Sequence, residues 1–193
     1  MTFLRTGRLA AAAVATAVLL AAPAWAVPVK SRLTTIELKW CTQTKKHKDG
    51  GAWRCAGLPG FPVYLAEGDL RHMLSFGPGP EKRRAAQQTL APFNSIFDSR
   101  ARATVEWRFE RKGGRDVPYA TIVRYHTARD GERGEVLVVS RIGGTETCHA
   151  AYIDALANAE AMALARSFAD VEARKLDCAG EPMVIGMTGK SPM

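Results

Sequence analysis

Residues 104–127 read TVEWRFERKGGRDVPYATIVRYHT, and this stretch decides the fold. Val105, Trp107 and Phe109 alternate with Glu106, Arg108 and Glu110. A period of two is the pattern of a strand with one apolar face. The KGGRD segment at 112–116 is a turn, and an apolar run at 119–127 follows it. RDGERG at 129–134 turns the chain again into residues 136–142. Gly143 and Gly144 turn it a third time into residues 147–153. Short connections between successive strands predict an antiparallel meander. Residues 136–139 are apolar on both faces, which predicts a central strand or one covered by a helix.

The covering helix follows directly. Ala161, Leu164, Ala165, Phe168 and Val171 or Glu172 recur at the 3.6 period within residues 158–176. Asn158 suits its cap and Lys175 its last turn. Beyond it, residues 181–193 read as a flexible tail. Upstream, residues 33–40 read as a strand that buries Thr34, Ile36, Leu38 and Trp40. KKHKDGG at 45–51 reads as a polar loop and GLPGFP at 57–62 as a turn. Residues 63–65 and 70–76 form a hairpin around Glu67-Gly68-Asp69. Pro80 and Glu81 suit the start of a second helix, which Pro92 stops near Ala91. The expectation is one α+β domain over residues 27–180. Its antiparallel sheet has five or six strands and carries two helices, with the longer C-terminal one packed on one face. Ala161, Leu164, Phe168, Val105, Trp107, Phe109, Leu137 and Val139 belong in its core.

The chain of 193 residues is 47% hydrophobic and 24% charged, which excludes a disordered or fibrous protein. Residues 1–26 read as a signal peptide. Arg5 and Arg8 precede an uncharged stretch from 9 to 22, and Ala24-Trp25-Ala26 is a cleavage site. The apolar run is shorter than a spanning helix needs, and no later stretch approaches that length. Cleavage would leave no transmembrane segment and would lower the net charge from +8 to +6. All four cysteines fall after the site. An even number in an exported chain predicts disulfides in the periplasm or outside the cell. Four cysteines allow three pairings. The expected one is sequential, Cys41 with Cys55 and Cys148 with Cys178.

The distinctive segments are GLPGFPVYLAEGDLRHMLSFG (57–77), AAQQTLAPFN (85–94), VEWRFE (105–110) and CHAAYIDALANAEAMALAR (148–166). Together they resemble a group of small, uncharacterised exported proteins of alphaproteobacteria. The resemblance covers most of the mature chain. It implies a cell-envelope location and no particular activity.

No nucleophile elbow, zinc-protease helix or phosphate-binding loop occurs. The histidines are scattered without ligand spacing, so no metal or cofactor is expected. Two polar groups remain. Lys45, Lys46, Lys48 and Arg54 gather near Trp53, a combination suited to an anionic envelope glycan or lipid headgroup. Nucleic acid would use the same features, and export argues against it. A protein partner is the other occupant. Glu67, Asp69 and Arg71 would share one face of an extended segment, with His72 opposite. The first group predicts a non-enzymatic envelope-binding protein. The second predicts a small periplasmic hydrolase or glycan-processing enzyme, which requires its side chains to converge in a pocket.

Overall fold

A computed structural model describes residues 30–193. Residues 1–26, expected to be a signal peptide, lie outside those residues. The described chain forms eleven strands in two sheets and one helix. This corrects the expectation of one sheet and two helices, while the antiparallel character holds.

The larger sheet runs β1 (Lys30–Glu37), β7 (Arg102–Lys112), β8 (Arg115–Arg129), β9 (Glu132–Ile142), β10 (Thr147–Asp154) and β11 (Met183–Val184). Short β6 (Phe93–Ser95) pairs with β8 off this path. The expected meander is β7 to β10. Its first two turns need left-handed backbone: Gly113 and Gly114 supply it in one, Asp130 and Gly131 in the other. Two successive positive φ angles match the right-handed strand twist, so both hairpins close tightly.

The smaller sheet runs β2 (Thr42–His47), β3 (Gly50–Leu58), β4 (Phe61–Gly68) and β5 (Arg71–Phe76). The expected polar loop at 45–51 is therefore mostly strand, and only Lys48 and Asp49 turn. Residues 33–40 are strand only to Glu37, after which a 3-10 turn exposes Leu38 and Trp40. Only Ile36 of the four expected residues is fully buried.

The two sheets pack face to face. Val63, Leu65, Leu74 and Phe76 of the small sheet meet Val105, Trp107, Val123, Val136 and Val138 of the large one. The Trp107 indole N–H donates to Thr34 Oγ1 at 2.8 Å, so its single polar atom is satisfied. On the other face of the large sheet, Leu137, Val139 and Ile122 meet Ala161, Ala165 and Phe168. Strand β9 thus contributes to both cores, as its two apolar faces require.

The helix, α1 (Ala161–Phe168), continues as a π-type turn over Ala169–Ala173. It is shorter than residues 158–176, and Val171 lies outside its buried face. Asn158 does not cap it. Its amide donates to Asp154 O and Met187 O instead, and its Oδ1 accepts the Met187 N–H. The expected second helix is two 3-10 turns, Pro80–Lys82 and Arg84–Gln87. Arg83 between them is extended, and its guanidinium is held by the carbonyls of Pro78 and Gly144. Extended Arg83 breaks the run of helical backbone, so the two short turns do not join into one helix.

Both disulfides pair sequentially, Cys41 with Cys55 and Cys148 with Cys178. They close the small sheet's first hairpin and fix the segment after α1 to β10.

Residues 181–193 carry more fixed contacts than a loose tail would. β11 pairs in parallel with β10. The Ser191 hydroxyl donates to Asp154 Oδ1 at 2.6 Å, and the Lys190 and Ser191 N–H groups donate to Asp154 Oδ2. Burial opposes the Asp154 charge, yet these bonds outweigh it and hold the carboxyl below its ordinary range. Gly134 leaves the necessary space, because a Cβ there would sit 2.5 Å from Ser191. Asn158→Ala is expected to cost about 1–2 kcal/mol and to raise amide hydrogen exchange at Met187. Unchanged exchange would show that Asn158 does not hold this strap.

Candidate functional site

The second polar group does not assemble. Asp69 and Leu70 are both left-handed, the two central residues of a tight hairpin turn. The turn breaks the period of two. Glu67 becomes the cross-strand partner of His72 and shares its face, while Arg71 pairs with Gly68. This corrects the expectation that Glu67, Asp69 and Arg71 share a face with His72 opposite. Arg71 is already engaged. It forms an ion pair with Asp69, donates to the Ala91 carbonyl at 3.0 Å and lies over the Phe93 ring. His72 is buried. Its Nδ1 accepts the Ile96 N–H at 3.2 Å, and burial pulls its pKa down to about 4. None of the five cavities described for the molecule is lined by these four residues.

The basic group divides, and part of it forms a site. Strand register pairs Lys45 with Ala52, on the face of β3 that also carries Arg54. Lys46 pairs with Gly51, on the opposite face shared with Trp53. Trp53 packs half-buried against the inter-sheet core. Lys48 occupies the turn. So the structure brings Lys45 and Arg54 together and separates Lys46, Lys48 and Trp53 from them. The divider is a register shift between Gln43 and Lys45, which places Thr44 and Lys45 opposite a single β3 position.

Lys45 and Arg54 line a cleft of about 470 Å³ with Thr44, Tyr64, Glu81 and Lys82. Tyr64 is the cross-strand partner of Arg54 and forms part of the wall. Burial, and secondarily the Glu81 carboxylate, push its phenol above the ordinary range, so it stays a neutral donor. Glu81 and Lys82 arrive on the 3-10 turn after the GPGP segment. Left-handed Gly79 aims that turn, and buried Pro80 anchors it. Three cations face one carboxylate. No carboxylate lies within 4 Å of the Lys45, Arg54 or Lys82 nitrogens among the described residues. By contrast, Arg83 and Arg84 beside Lys82 are committed to structure. Arg84 reaches the Cys178 carbonyl and, at 3.2 Å, Glu181.

Sequence adjacency groups Lys82 with Arg83 and Arg84, yet of the three only Lys82 lines the cleft with Lys45 and Arg54. Tyr64 carried no signal, since a tyrosine in an alternating strand reads as packing. The available signal was GPGP, a breaker able to redirect the next turn across the sheet.

Among the described residues, no group of three or more His, Cys, Asp or Glu is arranged to hold a metal ion. No helix there is long and apolar enough to cross a membrane. Fold and cleft define a disulfide-stapled, two-sheet β protein with one covering helix and a cationic cleft on the smaller sheet. The chain matches no protein-family model, no curated protein and no solved structure.

Proposed function

We propose that this protein is an exported, non-enzymatic module that binds an anionic component of the cell envelope in the Lys45–Arg54–Lys82 cleft. One observation carries the reading: three cations from three separate segments converge on one concavity that holds a single carboxylate, and none of the three is ion-paired among the described residues. Structural arginines elsewhere in the chain are paired, as Arg108 is with Glu106 and Asp170. Unpaired cations facing a cleft attract phosphate, carboxylate or sulfate, and Tyr64 offers a hydroxyl donor beside them. Two disulfides and the net charge of +8 over the whole chain support an exported, anion-seeking protein. The alternative hydrolase reading loses its support with the separation of Glu67, Asp69, Arg71 and His72.

The test is a titration of the oxidised protein with inorganic phosphate and with an oligogalacturonate, at low and at physiological salt. Saturable binding that weakens with salt is expected. Lys45→Gln, Arg54→Gln and Lys82→Gln should each weaken it about tenfold, the loss of one charge-assisted hydrogen bond. Lys46→Gln and Lys48→Gln carry the same charge change away from the cleft and should have little effect. Equal losses from both sets, or no binding at either salt, would overturn the reading.

A further inference from the structure

The cleft does not end at Arg54. Arg54 also lines a shallower, wider depression of about 880 Å³, together with Trp40, Pro59, Pro62 and Pro78. Pro78 in turn lines a third cleft of about 450 Å³, with Phe61, Lys112, Arg141 and Arg174 on its walls. Shared wall residues, Arg54 and then Pro78, make the three concavities contiguous along the surface. The ends are alike in charge. The third cleft also holds three cations, and Glu110 is its one carboxylate. Glu110 lies 3.5 Å from Arg174, which leaves Lys112 and Arg141 without an ion pair among the described residues.

The middle station differs in chemistry. Trp40 is 77% exposed, the most exposed large hydrophobic side chain among the described residues. It is nevertheless held. Its ring lies 5.4 Å from the Lys39 ammonium, which is itself ion-paired with Glu37 at 2.9 Å, and its chain neighbour Cys41 is locked to Cys55. An exposed indole fixed in place is a stacking platform rather than a failed core residue. Three prolines line the same depression, so its floor is stiff.

We infer that the occupant is an extended anionic polysaccharide, whose charged residues repeat along the chain and whose sugar rings present apolar faces. This inference rests on the proposed binding role of the Lys45–Arg54–Lys82 cleft and assigns its substrate class. The two cationic ends hold acidic groups on separate sugars, and Trp40 stacks on a ring between them. A lipid headgroup fits less well. It presents one charge cluster at a plane, whereas these cations line consecutive concavities separated by an aromatic platform. An acidic peptide supplies charge without a ring face for Trp40.

Oligogalacturonates from dimer to dodecamer test this, read by calorimetry on the oxidised protein. Affinity is expected to rise at least about tenfold with length and then level once both ends are engaged, as linked binding events require. Trp40→Ala and Lys112→Gln alter exposed side chains and leave the cores intact. Each should return the dodecamer towards the affinity of the dimer. Affinity independent of length, or long-oligomer binding unaffected by both variants, would overturn the inference and leave the cleft reading standing. Absence of phosphate and dimer binding in the unaltered protein would overturn the cleft reading itself. Binding to phosphatidylglycerol vesicles but not to oligomers would make the face a membrane site. Equal binding of a charge-matched oligoglutamate would remove the role of the sugar ring. Either outcome would overturn the polysaccharide assignment.

Discussion

Glu106→Ala is expected to lower folding stability by about 3–5 kcal/mol, read as a shift in the urea midpoint. Glu106 sits on the helix-facing side of β7, its side chain 4% exposed, beside Arg108 at 8%. It accepts hydrogen bonds from Arg108 at 2.9 Å and from Arg166 at 2.9 and 3.2 Å. Arg108 also makes a two-point contact with Asp170, which accepts the Tyr119 hydroxyl at 2.6 Å. These two partners outweigh the burial that would otherwise ease the proton off Arg108, and its pKa is raised. Removing Glu106 leaves Arg108 buried with half its compensation. Breaking a buried pair costs more than the pair contributes, because a charge is stranded out of water. The double variant Glu106→Met with Arg108→Leu should therefore lose less than Glu106→Ala alone. A double variant at least as damaged as the single would show that the ion network itself stabilises the fold.

Acidification from pH 7 to pH 5 is expected to remove about 4 kcal/mol of stability, roughly 2 from each of two buried histidines. Burial lowers the pKa of His72 to about 4 and of His149 to about 3. Unfolded, both would titrate near 6.5. The unfolded chain then binds more protons than the folded one. Stability that is complete above pH 6.5 falls as the pH drops towards 4. Neither site welcomes a proton. His72 Nδ1 already accepts the Ile96 N–H, and His149 Nε2 is buried without a partner among the described residues while Nδ1 meets the Tyr152 hydroxyl at 2.9 Å. Carboxylates of depressed pKa, such as Asp154, act mainly below this window. Urea midpoints at the two pH values measure the loss, and a His72→Gln, His149→Gln variant should flatten it. An unchanged midpoint between pH 7 and pH 5 would sink the prediction.

The same β7 segment shows how far the sequence could be read. Its alternation located the strand, its turns and the side that carries Val105, Trp107 and Phe109. It also marked Glu106 and Arg108 as the other side. That this second side is buried under α1 was not legible, because Asp170 and Arg166 lie about sixty residues away and only packing brings them over it. Residues 45–51 failed for a related reason. Polar strand residues at a sheet edge look like loop, since no apolar face is needed where solvent covers both sides. The site divided along the same line. Lys45 and Arg54 were visible as basic residues near a cysteine pair. That Lys45 rather than its neighbour Lys46 joins Arg54 follows from a register shift, since a one-residue slip moves every later side chain to the opposite face.

What residue order determined by itself was local: the hairpin turns, the two-faced apolar strand β9 and the amphipathic core of α1. Each follows from short-range sterics or periodicity. What only the tertiary structure decided was how these pieces meet. The small sheet's packing against the large one turned an apparent acid–base group into a hairpin tip and a buried histidine. The GPGP turn carried Lys82 across to Lys45 and Arg54. Convergence of distant residues depends on strand register and layer packing, and both are set by burial summed over the whole molecule rather than by any one stretch of chain.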